Sequence, residues 1–109
     1  MSIDKQFKNR WFEFSLAEQM ANIGAEIGRA INWKNKDKKM SQAYFERGLE
    51  LLDFTIEDPK NKKRLRELLR VREVLADYFY FDNVYGSTDK KWNDYFYAFN
   101  YSVAFKRGV

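Results

Sequence analysis

Hydrophobic residues recur along most of this chain at intervals of three and four, the spacing of one face of an α-helix. Leu16, Met20, Ile23, Ile27, Ala30 and Ile31 share such a face. Ser15 and Glu18, at its start, form a capping box in which each side chain satisfies a backbone amide that helix geometry leaves unpaired. Ala17, Ala21, Gly24 and Gly28 make a neighbouring ridge of small residues. Two glycines inside a helix cost propensity, so the ridge predicts that something packs close against it.

A second segment runs from Asp37 or Ser41 to Ile56, with Phe45, Gly48, Leu49, Leu52, Thr55 and Ile56 on one side. Asp58-Pro59 ends it and opens a third, with Asp as N-cap and Pro at the first helical position. That third segment is expected as one helix over about residues 59–81, burying Leu65, Leu68, Val71, Leu75, Tyr78 and Phe79. Asn83 to Thr88 reads as a turn and a fresh N-cap. A fourth helix over about 89–106 then buries Trp92, Tyr95, Phe96, Phe99 and Val103.

Amphipathic helices joined by mostly short connections prefer antiparallel neighbours. The expected fold class is therefore all-α, an up-down-up-down four-helix bundle over residues 15–109. Residues 1–14, with Phe7, Trp11, Phe12 and Phe14, form an aromatic N-terminal arm apolar enough to dock on it.

Composition narrows the chemistry. With 109 residues, 45% hydrophobic and 33% charged, the chain is expected to be one globular domain. It has neither Cys nor His. That removes thiolate nucleophiles, cysteine metal sites, the commonest general base near neutral pH and the commonest transition-metal ligand. No Gly-rich phosphate loop, nucleotide fingerprint or serine elbow is present. No catalytic residue, metal or cofactor is expected. No apolar run approaches the roughly 18 residues of a membrane span, and none at the start resembles a signal peptide. The expected location is the cytoplasm.

Charge adds a pattern that composition hides. Lys60, Lys62, Lys63, Arg64 and Arg66 crowd the start of the third segment. A helix N-terminus already carries about half a positive charge, so cations there are misplaced unless something compensates. The bundle topology would bring Lys5, Lys8, Arg10, Lys106 and Arg107 to the same pole. Ten of the chain's twenty basic residues would then face only Asp4, Glu13, Glu57 and Asp58. Such a pole suits an anion, either nucleic acid phosphates or an acidic protein surface. It also suits simple solvation. Trp11 and Phe12 are the aromatics placed to stack on bases, and both also suit the core.

Three further features are candidates. Arg72 lies on the apolar face of its segment, and a buried arginine needs a carboxylate, so a buried ion pair with Glu26 or Asp53 is expected. Arg66, Arg70, Glu73 and Asp77 form an outward stripe, with solvation and weak intrahelical pairs as the plain reading. Tyr97, Tyr101 and Phe105, at i, i+4 and i+8, lie opposite the core face of the fourth segment. Aromatics in a row outside more often mean burial, either under the arm or against another chain in a homo-oligomer or partner complex.

The run from Phe14 to Tyr101 resembles a small bacterial family of all-α proteins, most closely in RELLRVREVLADYFYFDN, Arg66 to Asn83. At fold level it is also similar to the HEPN class of small helical bundles, often encoded beside a minimal nucleotidyltransferase. HEPN ribonucleases use an Arg and a His four to six residues apart. Here Arg70 and Arg72 precede Asp77, and no His follows. The resemblance thus implies a non-catalytic relative that binds RNA or a nucleotidyltransferase partner. The residues themselves point first to a non-enzymatic interaction module.

Overall fold

The computed structural model of the chain describes residues 5–106, and their side chains as far as Val103. Among the described residues the secondary structure is entirely helical: α1 (Lys5–Trp11), α2 (Leu16–Trp33), α3 (Lys38–Glu57), a 3-10 turn (Pro59–Arg64), α4 (Leu65–Tyr80) and α5 (Asp89–Lys106). The all-α class is as the hydrophobic pattern predicts. The described residues form five α-helices rather than four, because part of the N-terminal arm is itself α1.

Local chemistry sets most of the boundaries. Ser15 and Glu18 close the capping box of α2, with bonds of 3.1 and 3.0 Å. Asp37 caps α3 by accepting from Lys39 N and Met40 N. Thr88 Oγ1 accepts from Lys91 N at the start of α5. The turn before it is built around Asn83 and Gly86, both at positive φ (55° and 67°). Asn83 supports that strained turn by exchanging two bonds with the Ser87 backbone.

The third segment departs from expectation. Instead of one helix over 59–81, residues 59–64 wind as a 3-10 turn before α4 begins. Asp58 accepts from Lys60 N, and Asn61 is drawn inward to the Thr55 carbonyl, which tightens the backbone there. Lys60, Lys62, Lys63 and Arg64 consequently precede the α-helix. The first turn of α4 carries the acidic Glu67, favourable to its dipole. Leu65, expected in the core, is 38% exposed at this junction.

Contacts at both ends of each pair fix how the helices run. Ser41 bonds the Ala30 carbonyl, whereas at the other end of the pair Asn61, just past α3, bonds Gln19. Phe45 stacks on Phe79 at 4.1 Å, and Asp53 meets Arg72. Asp89 meets Tyr78, and Tyr95 bonds Glu67. Lys34 meets Asp89, and Gly24 lies against Phe96. The pairs α2–α3, α3–α4, α4–α5 and α2–α5 are all antiparallel. Between them Met20, Ile23, Ile27, Phe45, Leu52, Leu68 and Leu75 are fully buried. Each contributes about 1.5–3 kcal/mol of hydrophobic stabilisation.

Gly24 shows why the small-residue ridge exists. A Cβ there would lie 2.5 Å from Phe96 Cβ, closer than any real contact. Gly28, its neighbour on the ridge, has nothing within 4 Å of its Cβ position, so only one of the two glycines serves close packing.

Candidate interaction surfaces

The basic end of the molecule is organised by a buried polar network. Trp11 Nε1 donates to Thr55 Oγ1 at 3.0 Å. Gln19 Nε2 donates to the Trp11 carbonyl (3.0 Å) and to Asp58 Oδ2 (2.9 Å). Asn61 Nδ2 donates to Gln19 Oε1 (2.9 Å) and to the Thr55 carbonyl (3.0 Å). All five side chains are buried. The network ties α1, α2, α3 and the 3-10 turn together. Burial acts to raise the Asp58 carboxyl, but bonds from Lys60 and Gln19 outweigh it and hold Asp58 below its ordinary value. Trp11 is thereby part of the core and not a stacking platform.

Around this network the cations divide into two sets. Lys8 pairs with Glu57 at 3.2 Å, and Arg64 pairs with Glu67 at 2.6 Å. Lys60 is held by Asp58 and by the Phe12 carbonyl. Lys62, Lys63 and Arg66 are exposed and have no acidic partner among the described residues, as do Lys5 and Arg10. The side chain of Lys106 and the whole of Arg107 lie outside the described residues, as does Asp4.

Arg72 pairs with Asp53, its Nε 2.6 Å from Oδ1 and Nη2 3.4 Å from Oδ2. This bond is the main reason the Arg72 pKa is raised. The pair is not buried as expected, because the two side chains remain 40% and 47% exposed at the α3–α4 seam. Glu26 takes no part. It pairs along its own helix with Arg29 at 2.8 Å, while its second carboxylate oxygen is buried without a partner.

The outward stripe on α4 also resolves differently from its plain reading. Arg66 is exposed, and Arg70 lies 3.8 Å from Glu73 and over the Tyr85 ring. Asp77 is instead buried, accepting from Val84 N and Tyr85 N at 3.1 and 3.2 Å. Its carboxylate organises the turn after α4. Arg72 and Asp77 therefore serve separate structural bonds and share none.

A second polar cluster was not anticipated. Lys34 Nζ donates to Asp89 Oδ1 (2.6 Å) and Tyr78 OH (3.0 Å), and Tyr78 donates to the same carboxylate oxygen. Burial opposes the charge on Lys34 and Asp89, yet their mutual bond raises the lysine and lowers the aspartate. Tyr78 is raised, first by burial. The cluster joins the end of α2 to α4 and to the start of α5. Asp89 at a helix start was legible; its meeting with Lys34 was not.

On α5, Tyr97 and Tyr101 are 66% and 64% exposed. The described part of the arm lies elsewhere: α1 packs on α3 and enters the core through Trp11. The side chain of Phe105 lies outside the described residues. Among the described residues no group of three acidic side chains could hold a metal ion, and no helix is long and apolar enough to cross a membrane. No protein-family model matches the chain, nor does any curated protein or solved structure.

Proposed function

We propose that this chain is a non-enzymatic interaction module that pairs with a second copy of itself through the outer face of α5. The antiparallel contacts support reading α2 to α5 as an up-down-up-down bundle, with α1 appended to it. The observation that carries the proposal is the exposure of Tyr97 and Tyr101, one turn apart on the same face. Phenol rings combine apolar area with a polar tip, which suits them to an interface. A two-fold axis would set the same row of rings against itself, so a single patch meets its own complement. Size-exclusion chromatography with light scattering tests this. The chain is expected to run as a dimer at high micromolar concentration, and Tyr97→Glu or Tyr101→Glu as a monomer. A monomeric parent chain overturns the reading.

A second reading rests on Lys62, Lys63, Arg66, Lys5 and Arg10, which have no acidic partner among the described residues. Together with Lys106 and Arg107 they suit an anionic surface, either RNA or a partner such as a nucleotidyltransferase. Filter binding of single-stranded RNA at two salt concentrations decides the RNA form. Five phosphate contacts would give a log–log salt slope of about −3 to −4. Absent or salt-insensitive binding rules the RNA form out.

A further inference from the structure

Where α3 starts and α4 ends, an open cavity of about 350 Å³ remains at the seam between them. Lys38, Ser41, Gln42 and Phe45 line it from α3, at the i, i+3, i+4 and i+7 positions of one helical face. Tyr78, Phe79 and Tyr80 line it from α4, and Lys34 from just past the end of α2. Buried Phe45 braces two of these rings, stacked on Phe79 at 4.1 Å and edge-on to Tyr80 at 5.0 Å. Tyr80 is 44% exposed, so a ligand can meet its ring without any movement of the chain. Two lysines and no carboxylate line the cavity. The acids nearby are already engaged: Asp89 by Lys34 and Tyr78, Glu46 by Gln42 and Tyr80, and Asp37 by the first amides of α3.

We propose that this cavity binds a small aromatic carboxylate, its ring against Tyr80 and Phe79 and its acidic oxygens at Lys34 and Lys38. An ammonium group has three N–H donors, and Lys34 uses two of them, on Asp89 and Tyr78. The third is left for a ligand, and the Lys34 side chain is 35% exposed, so solvent reaches it as it stands. Lys38 is exposed and has no acidic partner among the described residues. Lys34 and Asp89 neutralise one another, which leaves Lys38 as the uncompensated charge of the lining. A single net charge matches a carboxylate monoanion better than a phosphate dianion. The apolar part of the ligand follows from the walls, because open aromatic faces favour a planar ring, offset-stacked or edge-on. A cavity of this volume lies at the small end of ligand pockets, which suits one ring with a short acidic arm. The site sits at the opposite end of α4 from the free cations, and none of its lining belongs to α5. It therefore depends neither on pairing through α5 nor on binding at those cations.

Backbone amide resonances of the isotope-labelled full-length chain provide the test, with cinnamate as probe and cinnamamide as its neutral counterpart. Cinnamate is expected to shift the amides of Lys34, Lys38, Ser41, Gln42 and Tyr80 saturably, while those at the start of α2 barely move. Lys38→Gln, a surface change, is expected to weaken binding about three- to ten-fold, the scale of a charge-assisted bond at an exposed site, and Lys38→Arg to retain it. Lys62→Gln removes the same charge at the far end of α4 and is expected to leave binding unchanged, which separates a local contact from net charge. Tyr80→Ala is expected to weaken acid and amide alike. No saturable shift around the cavity, equal binding of the amide, unchanged affinity in Lys38→Gln, or an equal loss in Lys62→Gln overturns the proposal.

Discussion

At the scale of single residues, Gln19 is the side chain on which most depends. It donates twice and accepts once, all within a buried network. Gln19→Leu keeps the volume but strands Asp58, Asn61 and the Trp11 carbonyl without one bond each. Each keeps another partner, so the cost is that of three hydrogen bonds at about 0.5–1.5 kcal/mol apiece, and urea denaturation is expected to show a loss of roughly 2–4 kcal/mol. The titratable groups make a second prediction. Asp58 and Asp89 are both depressed, so their stabilisation is complete above the unfolded carboxylate value of about 3.9 and is lost as pH falls through their folded values. Lys34 is raised, so its share is complete below about 10.4 and is lost as pH rises through its folded value. Urea midpoints measured from pH 7 down to 2 should therefore fall, and less steeply in Asp58→Asn. Gln19 was passed over in reading the sequence, although it sits four residues before Ile23, inside the apolar face, which was the available signal. Its partners were not legible, because Asn61 lies in a turn that periodicity reads as helix.

At the scale of elements, two glycines on one ridge divide cleanly. Gly24→Ala drives a methyl into Phe96, an overpacking that costs about 1–3 kcal/mol against a helix-propensity gain of about 1. Gly28→Ala meets open space and keeps only the gain, up to about 1 kcal/mol. Thermal melts of the two variants should move in opposite directions, Gly24→Ala downward and Gly28→Ala upward. The ridge was visible in the sequence, but the position where α5 crosses it was not. Crossing points depend on the register of two helices, and no local pattern encodes that. Helix starts were easier, since Ser15, Asp37 and Thr88 cap their own helices within three residues. The 3-10 turn was missed because its cause, Asn61 reaching inward, is tertiary.

At the scale of the whole molecule, the positive charge of the basic end is partly cancelled from within. Lys8, Lys60 and Arg64 are bound to neighbouring carboxylates, whereas Lys62, Lys63 and Arg66 are exposed and have no acidic partner among the described residues. Replacing the latter three by Gln should leave stability within about 0.5 kcal/mol of the parent, as for other exposed changes. A chemical melt checks this, and a larger loss would mean that these lysines and this arginine support the turn. The polar network at the same end also dictates an order of events in time. Trp11 finds Thr55 across 44 residues of chain. A ribosome adding roughly 5–20 residues per second needs about two to nine seconds to make that stretch. For that interval the first helix has no seat, and Phe7, Trp11, Phe12 and Phe14 leave the ribosome as an apolar thread. The side chains of α1 are thus made well before the α3 residues that seat them, and they wait with their apolar surface uncovered until the middle of the bundle arrives to receive them.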